Sequence, residues 1–171
     1  MKKPEYNLLL IGFMGTGKTT VSKRLSELLE MKEVDTDQRI VNKEKSSIPE
    51  IFEKQGEAYF RDLETTTLME LEKEKGFIVS CGGGIVLREE NLASMRKQGK
   101  IILLTATPQT ILERVKENNN RPLLQGNMNV EFIESLLNKR KERYFEAADL
   151  IIETDSSSID EICQEIISKL S

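Results

Sequence analysis

Gly12, then four residues, then Gly17, Lys18 and Thr19 give the pattern GxxxxGKT inside the stretch IGFMGTGKTT. Glycines let backbone N–H groups converge on an anion, a helix opening near Lys18 adds its positive end, and the lysine ammonium reaches the outer oxygens of a polyphosphate. The Thr19 hydroxyl is a donor suited to Mg²⁺, and Gly15, Thr16 and Thr20 belong to the same nucleotide-binding loop. A second cluster follows in VDTDQ, where Asp35 and Asp37 stand two apart. In an extended chain such residues point to the same side. One carboxylate can then hold Mg²⁺ through water while the other orients a hydroxyl and accepts its proton, the division of labour that phosphoryl transfer asks for. The plainer reading of Asp37 is a cap on a helix over 38–41. Asp155 in LIIETD is a rival metal ligand.

Three further segments carry groups for an anionic partner. In FRDLE, Arg61 and Glu64 share a helix face and read either as a surface ion pair or as part of a site. SCGGGI follows an apolar run, so Gly82, Gly83 and Gly84 lie at the carboxyl end of a strand, where open α/β sheets bind ligands. KRKER, which contains Arg140, reads most simply as a solvated basic helix face.

The elements that must position these groups follow from the apolar pattern. Asn7–Ile11 is a short buried strand ending at Gly12, and a helical face with Val21, Leu25, Leu28 and Leu29 follows. Apolar runs at 77–80, 100–104 and 150–152 alternate with helical segments, the rhythm of a parallel sheet covered by helices. Thr107–Pro108 reads as an N-cap with Pro at the first helical position, and Ser47 with Glu50 as a capping box. The last helix carries Ile159, Ile162, Cys163, Ile166, Ile167 and Leu170 at 3-and-4 spacing, which makes Cys163 a core residue. ENNNRPLLQGNMN, after a helix ending near Lys116, is the candidate mobile loop.

Composition removes several function classes. The chain has 171 residues, which fits one domain over 1–171, and its net charge of −4 argues against a nucleic-acid binder. It has no His, and its two cysteines lack CxxC spacing, so zinc sites and His-based dyads are excluded. Proton transfer falls to carboxylates, Lys or water. Glu5 interrupts the basic start and no small-residue cleavage site follows, so the expectation is no signal peptide, no membrane association and a reducing cytoplasm. NKEK lacks the Asp of the guanine-reading signature, which disfavours a GTPase. No long apolar stripe is left over, and a monomer is expected.

In order along the chain, IGFMGTGKTT, VDTDQ, SIPEIFEKQGEAYFRDLE, the GGG run, RPLL and Arg140 with Tyr144 and AAD resemble the shikimate kinase family. The resemblance implies a P-loop NTPase fold of α/β class with a five-stranded parallel sheet flanked by helices, a substrate-binding segment at about 35–64 and a mobile lid at about 116–129. It implies transfer of the ATP γ-phosphoryl group to the 3-hydroxyl of shikimate with Mg²⁺. By the same resemblance, Asp35 is the water-mediated magnesium partner and Asp37 activates the hydroxyl. Arg61 and Arg140 clamp the shikimate carboxylate, Glu64 orients those arginines, and the glycine run, Gly83 above all, approaches the ring hydroxyls. Arg121 is the lid arginine, and Arg114 stacks near adenine. Planar guanidinium groups suit a carboxylate ligand, and a closing arginine suits an enzyme that must exclude water.

Two positions depart from the family pattern: Cys81 stands where Thr or Ser is common, and Lys45 where Gly is common. Cys81 is expected beside the substrate pocket, as packing or as an oxidation-sensitive thiol, and Lys45 at a helix end with a small stability cost. Two other readings compete: a related kinase for another hydroxylated acid such as gluconate, and a nucleotide-binding regulator without catalysis.

Overall fold

The computed structural model describes residues 3–116 and 129–171. Among these residues five strands, β1 (Asn7–Ile11), β2 (Lys32–Asp35), β3 (Phe77–Ser80), β4 (Gly99–Thr105) and β5 (Leu150–Glu153), form one sheet in the order β2-β3-β1-β4-β5. Every pairing is parallel, with Leu9 opposite both Val79 and Ile101 and Asp35 opposite Ser80. All five carboxyl ends therefore lie on one edge, the edge from which the phosphate loop, the acidic pair and the glycine run emerge.

Alternation along β1 explains the two-sided core. Leu9 and Ile11 pack on one face with Val79, Leu103, Leu68, Leu92 and Ile133. Leu8 and Leu10 pack on the other with Ile78, Ile102, Val21, Leu25 and Ile166. A strand buried on both faces reads as a continuous apolar run, and this one does. Cys163 lies in the second cluster, as its helical spacing predicts, and burial pushes its thiol up to about 11.

The helices are α1 (Lys18–Leu29), α2 (Thr36–Glu44), α3 (Ile48–Gln55), α4 (Glu57–Leu71), α5 (Glu89–Gln98), α6 (Pro108–Val115), α7 (Val130–Ala147) and α8 (Ile159–Leu170), with a 3₁₀ turn at Ile85–Leu87. Thr107 caps α6 through the Thr110 N–H, with Pro108 at the helix start. Ser47 caps α3 by accepting from the Glu50 N–H at 3.3 Å, but the Glu50 carboxylate meets the Ser47 hydroxyl at 3.2 Å rather than its N–H. The full reciprocal box closes instead at Ser158 and Glu161, at the start of α8. α2, α3 and α4 share a small core of their own, Ile40, Ile48, Ile51 and Phe60, with Phe52 and Tyr59 against it. Lys45 ends α2 at φ 54°, ψ 35°, the left-handed conformation glycine adopts without cost.

Candidate active site

β1 runs into the phosphate loop and α1 begins at Lys18, so the loop N–H groups and the helix N-terminus face the same cleft. Lys18 Nζ folds back onto its own loop, donating to the carbonyls of Gly12 at 2.7 Å and Phe13 at 3.0 Å. Thr16 is buried and donates to Phe13 O at 2.8 Å. Thr19 and Thr20 are exposed on the first turn.

The acidic pair owes its geometry to a corner rather than to an extended chain. Asp35 closes β2 and Asp37 stands in the first turn of α2, so the expected same-side alternation does not operate. Asp35, not Asp37, caps the helix: its Oδ1 accepts from the Gln38 N–H at 3.1 Å. The other oxygen, Oδ2, accepts from Thr19 Oγ1 at 3.1 Å. Two hard oxygen donors thus meet at the mouth of the phosphate loop. Among the described residues no three His, Cys, Asp or Glu side chains cluster as a metal cage. The Thr19 hydroxyl and the Asp35 carboxylate are the hard oxygen ligands that Mg²⁺ takes beside water and phosphate. Asp155 is occupied elsewhere: its Oδ1 accepts from the Thr107 N–H at 2.9 Å and the Thr107 hydroxyl at 3.0 Å. Burial pushes its pKa up, but the Thr107 and Thr110 hydrogen bonds outweigh that and hold it below the usual value.

Opposite the loop, α4 presents Arg61 and Glu64, and the pair is buried rather than solvated. The side chains are 10% and 0% exposed, with Arg61 Nη1 donating to Glu64 Oε1 at 2.8 Å. Burial raises the Glu64 carboxyl to about 7, aided by Asp37 and opposed by Arg61 and Arg140. Arg140 departs from the basic face around it: it is buried, whereas Lys139, Lys141 and Glu142 are exposed. Its guanidinium lies over the Phe13 ring, 5.5 Å from the centroid.

The glycine run passes between these groups, tightly at Gly82 and Gly84. A Cβ on Gly82 would stand 2.7 Å from both Asp37 Oδ1 and Glu64 Oε2, and one on Gly84 would stand 2.5 Å from the Arg61 guanidinium. A side chain at Gly82 or Gly84 would displace Asp37, Glu64 or Arg61, so glycine is what lets these groups keep their places. Two acids, two arginines and the turn therefore line one cleft of about 670 Å³ with the phosphate loop, and Val41, Ile48 and Phe52 supply an apolar side. Arg61 Nε, Glu64 Oε2 and Arg140 Nη1 are buried there without a hydrogen-bond partner among the described residues. Buried polar atoms of this kind ask for a ligand.

Arg114 lines the same cleft but is tied down. Its Nη1 donates to Gly15 O at 3.1 Å and Thr154 Oγ1 at 3.0 Å, and its Nη2 donates to Thr154 O at 3.1 Å. Arg121, and the candidate lid apart from its ends, lie outside the described residues. Cys81 is fully enclosed in the core and burial pushes its thiol far up, which removes the oxidation-sensitive reading and leaves packing. Sequence reasoning assigned no role to Phe13, which lies beneath Arg140, to Thr36, which accepts from the Gly82 N–H, or to Tyr144, which was named only within a motif and hydrogen-bonds to the Gly83 carbonyl. No local pattern marks the contacts of the first two, and Tyr144 offered its place in the motif with Arg140 and AAD, four residues from Arg140.

Comparison with known proteins agrees with this geometry. A family model described as shikimate kinase matches residues 14–171. The shikimate kinase of Caldanaerobacter subterraneus is 40% identical over 161 residues, covering 94% of each chain. That of Thermodesulfovibrio yellowstonii is 42% identical over 163 residues, 95% of this chain and 94% of the other. The shikimate kinase of Acinetobacter baumannii, solved in complex with shikimate, superposes with a TM-score of 0.94 at 35% identity, covering 98% of this chain and 94% of that one. Likeness in fold, in sequence and in the order of its motifs runs over nearly the whole chain, which belongs to the shikimate kinase family.

Proposed function

We propose that this chain transfers the γ-phosphoryl group of ATP to the 3-hydroxyl of shikimate, giving shikimate 3-phosphate and ADP. One observation carries the reading: Glu64, Arg61 and Arg140, each with a buried atom that lacks a hydrogen-bond partner among the described residues, converge with Asp37 on a bare glycine turn, across the cleft from a phosphate loop. An anionic polyol fits that lining. Its carboxylate answers Arg61 and Arg140, and its hydroxyls answer Asp37 and the turn. The shikimate bound to the Acinetobacter relative supports the same choice of acceptor over gluconate.

In this mechanism Asp37 accepts the proton of the 3-hydroxyl as that oxygen bonds to the γ-phosphorus, and the bond to the β-γ bridging oxygen breaks to release ADP. Lys18 leaves the Gly12 and Phe13 carbonyls to meet the phosphates, and N–H groups of the 12–20 loop hold them. Thr19 and, through water, Asp35 would hold Mg²⁺, which supplies charge neutralisation on the phosphates. Glu64 keeps Arg61 aimed at the carboxylate, and Arg114 braces the phosphate loop through Gly15 and would stack near adenine. Arg121 in a lid at about 116–129 is assigned to closing over the phosphates on the strength of family resemblance. Cradle, acids and arginines all come from one chain, so a monomer is the proposed working unit. The cytoplasm is the proposed location: both cysteines are free, and no described helix is long and apolar enough to cross a membrane.

The test is the position of the phosphate. Product made from ATP and shikimate should show phosphorus coupling to the ring proton at carbon 3. Coupling at another ring position, or unreacted shikimate, refutes the assignment.

A further inference from the structure

The turn at 82–84 is made of the residue least able to hold one shape, because glycine visits positive and negative φ about equally. Yet it passes so near Asp37, Glu64 and Arg61 that a displacement of the turn would move all three. Side chains from outside the run must fix it, and two hydroxyls do. The Gly82 N–H donates to Thr36 Oγ1 at 3.0 Å, and the Tyr144 hydroxyl donates to the Gly83 carbonyl. The Ile85 N–H donates back to Gly82 O at 3.1 Å and closes the turn. Thr36 is 0% exposed and Tyr144 2%, so water does not compete for either bond.

Each hydroxyl also belongs to a segment that carries chemistry. Thr36 lies between Asp35 and Asp37, at the start of α2. Tyr144 lies one helical turn beyond Arg140 on α7, with the guanidinium against the phenol. Burial raises the phenol pKa, which keeps the group a donor. The turn is thus tied at one end to the acid that activates the acceptor and at the other to an arginine that binds it.

We propose that Thr36 and Tyr144 are positioning residues, a two-point clamp that holds the glycine turn in register with Asp37 and Arg140 and so sets the alignment of the acceptor. This rests on the shikimate reading of the cleft, and neither residue touches the acceptor in it. The two ends act on different constants. Loosening the Arg140 end weakens acceptor binding, and loosening the Asp37 end misplaces the hydroxyl against its acid.

The test is steady-state kinetics of Tyr144→Phe, Thr36→Val and Thr36→Ser beside the wild type, with hydrogen exchange at the Gly82 amide. Losing one buried hydrogen bond corresponds to roughly a 10-fold effect. Tyr144→Phe should raise KM for shikimate by about that factor with KM for ATP held within about twofold. Thr36→Val should lower kcat about 10-fold at saturating substrates, and Thr36→Ser, which keeps the acceptor oxygen, should recover most of it. The Gly82 amide should exchange at least about 10-fold faster in Thr36→Val than in Thr36→Ser. Variants that melt earlier yet keep both constants, or that raise both KM values equally, overturn the clamp and leave a structural role. Should the wild type fail to phosphorylate shikimate, the functional reading falls by itself. The clamp is then decided by Gly82 exchange: faster exchange in Thr36→Val sustains it, and unchanged exchange overturns it.

Discussion

Glu64 lets stability report on the charge arrangement of the cleft. Its carboxyl, fully enclosed, is raised from an ordinary value near 4.5 to about 7, chiefly by burial. An acid with a raised folded pKa binds its proton more tightly folded than unfolded, so its stabilising contribution is complete below the unfolded value and is lost as pH rises through the folded one. Across that window the loss comes to about 3 kcal/mol. Glu64→Gln copies the protonated side chain: it has the same shape, keeps an oxygen for Arg61 Nη1 and does not titrate. Wild type should therefore lose ground against the variant by about 2–3 kcal/mol between roughly pH 5 and pH 8. Urea unfolding of both proteins at several pH values measures this, and taking the difference cancels the other titrating groups. A gap constant to within about 0.5 kcal/mol over that range would show that Glu64 titrates as an ordinary carboxyl.

Three other outcomes follow from the same geometry. Arg61→Lys loses the planar fork beside Glu64 and should raise KM for shikimate about 10- to 100-fold with KM for ATP little changed, as initial rates would show. Gly82→Ala puts a methyl 2.7 Å from Asp37 Oδ1 and Glu64 Oε2 and should cut kcat/KM for shikimate by about 100-fold, against unchanged ATP binding by calorimetry. Lys45→Gly relieves a left-handed residue at the end of α2 and should raise the unfolding free energy by about 0.5–1 kcal/mol without altering turnover.

What the sequence exposed and what it hid divide along physical lines. Periodicity and glycine spacing announced β1, the phosphate loop and α1, because each is written in consecutive residues. β3, β4 and β5 stood out for the same reason, each being an apolar run between helical segments, whereas β2, KEVD, has no such run to mark it. Long-range pairing was invisible: nothing local says that Thr36 meets Gly82 or that Arg140 lies on Phe13. Burial was hidden too. Arg61 and Glu64 at i and i+3 look like a solvated pair, and only packing against the glycine turn shows the pair to be enclosed. The Asp35–Asp37 spacing drew attention to two residues that do line the cleft, through an extended-strand argument that the β2–α2 corner replaces.

Acceptor-dependent ADP release decides whether the cleft phosphorylates shikimate. Purified protein with ATP and Mg²⁺ would be assayed with shikimate, with gluconate and with no acceptor, and Asp37→Asn would be run in parallel. Release should require shikimate and fall by a factor on the order of 100 or more in the variant. Release that requires gluconate, or shikimate-dependent release that survives Asp37→Asn, would contradict this expectation.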